Sequence, residues 1–85
     1  MYNGWKNRAT WNVMLWLDNE ESAYRYYIDA VKRFQERKPS ATRLPAGCAK
    51  AIAKNALGDY AGDNISLNTK AIDWRAIADA MWPEN

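Results

Sequence analysis

The chain has 85 residues, 48% hydrophobic and 26% charged, with a net charge of +2 and no histidine. That length points to a single domain, residues 1–85, with a thin stability margin, and the composition excludes a disordered chain. No apolar run approaches the roughly 20 residues that cross a bilayer, and the lack of histidine removes the commonest general base and metal ligand.

The first seventeen residues concentrate Tyr2, Trp5, Trp11, Val13, Met14, Leu15, Trp16 and Leu17. Chain ends are poorly ordered unless tied down, so this segment must pack into the fold or against a partner. Asn7 suits the N-cap of a first helix running to about Leu17, its side chain accepting from Ala9 or Thr10. At about 100° per residue, Trp11, Met14 and Leu15 share one side, flanked by Val13 and Leu17, while Trp16 falls beside Asn12 on the far side. Such a helix is apolar almost all round and belongs at the centre or at a shared interface. A strand is the rival, because a short apolar run is ambiguous by periodicity; the cap favours the helix.

Asp18 and Glu21 have the spacing of a capping box opening a second helix, with Glu20 suited to the positive end of its dipole. Tyr24, Tyr27, Ile28, Val31 and Phe34 form its predicted apolar stripe. Lys32, Arg33, Arg37 and Lys38 complement its C-terminal end, and Pro39 stops it. Pro45 suits the first turn of a third helix and Gly58 its left-handed end. Cys48, Ala49, Ile52, Ala53 and Ala56 form its small-residue face, and Lys50 and Lys54 its exposed one.

The stretch from Asp59 to Ile72 has no helical period. Gly62-Asp63-Asn64 is turn chemistry, and Ile65 and Leu67 alternate with polar residues as in a short extended piece. Asp73 caps a fourth helix to about Trp82, with Ile72 and Ile77 as a hydrophobic staple, a buried face of Trp74, Ile77, Ala78 and Met81, and Pro83 beyond. The expected fold is all-α, a compact bundle of about four short helices with an irregular segment before the last.

Catalysis is not expected. Cys48 stands alone on a small-residue face and reads as a core thiol. Ser22, Ser40 and Ser66 have no activating base in sight. The acids lack the spacing of a calcium loop, and the glycines lack that of a phosphate cradle, so no metal and no cofactor is expected. A single cysteine forms no internal disulfide, and the opening residues lack the regions of a secretion signal, so the expected location is the cytoplasm. Asn64-Ile65-Ser66 then matches a glycosylation acceptor by chance.

Binding is the better prospect. Residues 32–54 hold seven cations (Lys32, Arg33, Arg37, Lys38, Arg43, Lys50, Lys54) against Glu36, whereas five acids (Asp59, Asp63, Asp73, Asp79, Glu84) face two cations from Asp59 onward. This dipolar layout suits orientation of a partner. If the second and third helices lie side by side, Arg33, Arg37, Lys38, Arg43, Lys50 and Lys54 would share one surface able to neutralise phosphates; the competing reading is an ordinary solvated face. Tyr26 lies outside the apolar stripe beside Arg25 and Arg33, and exposed Tyr with Arg is the pairing enriched at interface hot spots. Trp5, Trp16 and Trp82 are further candidates for partial exposure; dense packing in a small core is the alternative for all of them.

Tyr2-Asn3-Gly4-Trp5, Asn7, Thr10-Trp11-Asn12-Val13, Leu15-Trp16 and Asn19, with Asp73-Trp74-Arg75-Ala76-Ile77-Ala78 near the other end, resemble a family of small uncharacterised proteins of bacteriophages, plasmids and other mobile elements. The pattern is YNGW-x-N-x-x-TWNV-x-LW-x-x-N with a closing D-W-R-x-I-A; residues 23–67 carry nothing that matches it. The resemblance implies no established activity and transfers no catalytic residue. The motif is read as a folding signature, with Gly4 allowing a turn, Asn7 and Thr10 organising the first helix, and Trp11 facing Trp74 in the core. The context implied is stoichiometric binding to a host protein or ribonucleoprotein complex of the cell's defences, such as a CRISPR or restriction complex. The expectation is therefore a protein-binding inhibitor without membrane association. A nucleic-acid-binding accessory protein and a homodimer built on the first helix are the alternatives.

Overall fold

A computed structural model describes residues 2–62 and 65–83. The chain is mainly helical: α1 (Arg8–Asn19), α2 (Glu21–Arg37), α3 (Ala46–Leu57) and α4 (Trp74–Met81), with β1 (Tyr60–Ala61) and β2 (Ile65–Ser66) between the last two helices. The irregular segment expected there contains an antiparallel strand pair, Tyr60 opposite Ser66 and Ala61 opposite Ile65, so the mainly helical fold expected carries a small two-stranded sheet that the all-α description left out. The Leu67 N–H donates to the Asp59 carbonyl and extends the ladder. Of the expected turn, Gly62 is seen at φ +69°; Asp63 and Asn64 lie outside the described residues.

Asn7 caps α1 in extended backbone, its Oδ1 accepting from the Thr10 N–H at 2.9 Å. The helix buries Thr10, Val13, Met14 and Leu17, the i, i+3, i+4, i+7 stripe of a helix with one inner face. Leu15 and Trp16 are exposed, so the inner face is rotated from the one centred on Trp11. The helix also runs two residues beyond Leu17, which moves the cap of α2 to Glu20. Asp18 consequently stays inside α1, where its carboxylate accepts from the Tyr27 hydroxyl at 3.0 Å instead of capping.

In α2 the buried positions are Ala23, Tyr27, Val31 and Phe34. Tyr24 and Ile28 are 45% and 44% exposed, as open as Tyr26 at 42%. Small Ala23 and Ala30 turn inward in their place, because they admit the neighbouring helices more closely than large side chains do. Pro45 is the N-cap of α3 rather than a first-turn residue, and Gly58 ends that helix at φ +83°. α3 packs on both α2 and α4, and α1 leans on α2.

The fully enclosed side chains are aliphatic, led by Leu17, Leu44, Leu67, Ile77 and Val13, with Thr10 among them. The tryptophans form a partial shell instead. Trp5, Trp74 and Trp82 are half-buried against the core. Trp11 is half-buried too, and its ring meets Tyr2 at 4.9 Å rather than Trp74. Tyr2 and Trp5 exchange backbone hydrogen bonds across a tight turn at Asn3 and Gly4, both with positive φ. That turn holds the Tyr2 ring over α1 and explains why a glycine stands there.

Candidate functional site

Where α2 and α3 lie side by side, they leave a cleft of about 280 Å³. From α2, Tyr26, Asp29, Ala30, Arg33, Phe34 and Arg37 line it; from the loop and α3 come Leu44, Cys48, Ala51 and Ile52. The α2 residues repeat at three or four positions and therefore occupy one face over about three turns. Phe34, Leu44 and Ile52 are buried and give an apolar floor. Tyr26 and the two arginines stand exposed at the rim. The Arg33 guanidinium pairs with the Asp29 carboxylate at 2.8 Å. Arg37 has no side-chain partner among the described residues. Cys48 is half-buried in the same wall.

The other predicted cations sit elsewhere. Arg43 reaches Asp79 at the far end of α4, at 3.1 Å. Lys38 is the exposed C-cap of α2. Lys54 donates to the Asn68 side chain at 3.1 Å, on the strand side of α3. Counting at about 100° per residue, Lys50 lies more than a quarter turn from the cleft-facing Cys48, Ala51 and Ile52, and Lys54 lies beyond Ala51 on the side away from Cys48 and Ile52; both are half-buried rather than exposed. Side-by-side packing of the two helices thus brings Tyr26, Arg33 and Arg37 together but does not gather the six cations on one surface.

The motif residues at the two ends of the chain meet through polar bonds that tryptophan-based reasoning missed. Buried Thr10 is the hub: its hydroxyl donates to Asn7 Oδ1 at 2.8 Å and accepts from the Asp73 N–H at 2.9 Å. Asn7 Nδ2 donates to the Ala71 carbonyl at 2.7 Å. Asp73 in turn caps α4 by accepting from the Ala76 N–H at 3.1 Å. One turn further along α1, Asn12 donates to the Ala61 carbonyl at 2.8 Å, and Trp16 covers Gly62 so closely that an added Cβ would stand 2.5 Å from its indole nitrogen. Arg75 donates to the Leu44 carbonyl and pairs with Asp79 at 2.8 Å, tying α4 to the loop after α2. The legible signal was Thr10 and Asn12, polar groups on either side of Trp11 that sit among apolar neighbours and need partners.

Three ionisable groups depart from ordinary behaviour. Hydrogen bonds from Arg75 and then Arg43 hold Asp79 below the usual carboxylate range. The Ser22 hydroxyl and N–H do the same for Glu20. Burial, reinforced by the Asp18 carboxylate, pushes the Tyr27 hydroxyl upward. Each shift has a partner within the chain, and none of the three residues lines the α2–α3 cleft. A second, wider groove of about 600 Å³ runs between α2 and α4, from Ile28 and Val31 to Met81, Trp82 and Pro83. Among the described residues no three metal-ligating side chains cluster, and no helix is long and apolar enough to cross a membrane.

No curated protein and no solved structure matches the sequence. A family of unknown function (DUF7249) matches residues 1–84, nearly the full length, and the chain belongs to that family.

Proposed function

We propose that this protein is a non-enzymatic binding module that works by stoichiometric occlusion of a protein partner, docking through the α2–α3 cleft. The supporting observation is the cleft itself. It joins an exposed Tyr and two exposed Arg to an apolar floor of Phe34, Leu44 and Ile52, which are the residue types and layout of interface hot spots. The motif likeness to mobile-element proteins extends the reading to a host defence complex, of the CRISPR or restriction kind, as the target in the cytoplasm. Binding of nucleic acid by the 32–54 segment is the weaker reading: Arg33 and Arg43 are engaged with carboxylates, and Arg43 and Lys54 reach away toward α4 and the strand side, so no one surface gathers the cations against a phosphate backbone.

The test is capture from a lysate of the cells in which the protein occurs, at physiological salt, with the parent chain and a Tyr26→Ala/Arg37→Gln variant side by side. The expected result is one partner in near-stoichiometric amount on the parent and its loss on the variant. Absence of any partner overturns the proposal. Retention of duplex or single-stranded DNA in a mobility-shift titration that weakens steeply with salt replaces it with the nucleic-acid reading. A sedimentation run showing a stable dimer replaces it with self-association.

A further inference from the structure

Resting on the protein-binding reading above, we infer that the α2–α3 cleft receives an acidic amphipathic segment, its apolar side chains on Phe34 and Ile52 and a carboxylate on Arg37. The argument starts from what the lining leaves unsatisfied. Arg33 is already neutralised by Asp29 at 2.8 Å. Arg37 lines the same cleft one turn further along α2 and has no anionic partner among the described residues. The cleft therefore presents one open guanidinium beside an apolar floor, with the Tyr26 ring at the opposite end.

A nucleic-acid strand carries a charge about every 3.4 Å and calls for a row of open cations. One cation against apolar wall suits a single carboxylate flanked by hydrophobic groups. An apolar face laid on Phe34 and Ile52 would displace water, and in that drier setting a two-point Arg–carboxylate pair strengthens. From Tyr26 to Arg37 the lining spans about 16 Å of α2 at 1.5 Å per residue. That length accommodates about three turns of a partner helix in the helix-in-groove manner, with anchors at i, i+4 and i+7.

Fluorescence anisotropy tests this with a panel of labelled amphipathic helices of about three turns, apolar on one face and flanked by Glu or by Lys, at about 0.15 M salt. The Glu helices are expected to bind the parent chain at least tenfold more tightly than the Lys helices. Arg37→Glu should lose tenfold or more for the Glu helices and gain for the Lys helices, Arg37→Gln should fall between, and Lys50→Glu, away from the cleft, should change both less than threefold. Circular dichroism confirms that each variant is folded, and Arg37→Gln carries the test if the charge reversal does not fold. Equal binding of both helix types, no binding of the Glu helices, equal losses in the Arg37 and Lys50 variants, or preference for a labelled oligonucleotide would each overturn the inference. A partner captured from lysate whose retention survives Arg37→Gln would overturn it too, yet leave the protein-binding reading standing; absence of any partner strikes that reading instead.

Discussion

The two sides of this molecule use polar groups in opposite ways. Where α1, the strand pair and α4 meet, Asn7, Thr10, Asn12, Asp73 and Arg75 all spend their hydrogen bonds inside the chain, most of them on backbone atoms far away in sequence. Where α2 meets α3, contact is apolar, and no side-chain hydrogen bond joins the two helices among the described residues. The rim polar groups there, Tyr26 and Arg37, point to no partner in the fold. Internal bonding marks the first side as the source of a unique structure, and unspent bonding capacity marks the second as the side available to something else.

Substitutions can break or sharpen that contrast. The largest loss is expected for Gly62→Ala, which combines a positive φ of +69° with a Cβ placed 2.5 Å from the Trp16 indole nitrogen; about 2–4 kcal/mol in urea denaturation follows from backbone strain plus overpacking. A Trp16→Ala background should relieve the overpacking share, seen as coupling in a double-mutant cycle. Thr10→Val keeps the shape and the backbone cap to Asn7 but strands the Asp73 N–H, at about 1–3 kcal/mol. Asn12→Ala should cost about 1–2 kcal/mol, since the Ala61 carbonyl it frees belongs to a fully buried residue, which water reaches only through the gap that the lost side chain leaves. Tyr26→Ala and Arg37→Gln, on the other side, should stay within about 0.5 kcal/mol of the parent while losing partner binding. Equal destabilisation on the two sides would erase the distinction.

The smallest effect concerns acid. The folded state lowers the Asp79 carboxyl, so its contribution to stability is present above the ordinary carboxylate range and is lost as pH falls through that range. Asp79→Asn should therefore lessen the fall of the denaturation midpoint as pH drops through and below the ordinary aspartate value of about 4 and leave the slope near neutrality alone. Unchanged acid sensitivity in that variant would remove Asp79 as the tie between α4 and the Arg43 loop.

Much of the helical plan was legible because its signals are local. Asn7, Asp73, Pro39 and Gly58 mark ends that depend on one or two residues of chain. The inner faces were harder. In α2 the stripe with large residues was expected to turn inward, yet Tyr24 and Ile28 face out and Ala23 and Ala30 face in, because the space between helices, not side-chain size, selects the buried row. Of the strand pair, β2 falls in the extended piece read from Ile65 and Leu67, whereas β1 and the pairing escaped notice because each strand is two residues long, too short for a partner to register. Of the candidate site, Tyr26, Arg33 and Arg37 were picked correctly as neighbours on one helix. The dispersal of Arg43, Lys50 and Lys54 was set by α4 and the strands, which charge counting along the chain does not see.

The bond between Thr10 and Asp73 joins positions 63 residues apart. Contacts of such sequence separation form late, after loop closure. During synthesis the apolar face of α1 can therefore pack on α2 as soon as that helix has formed, while the Thr10 hydroxyl waits for the Asp73 N–H, so the hub closes last and locks an already collapsed chain.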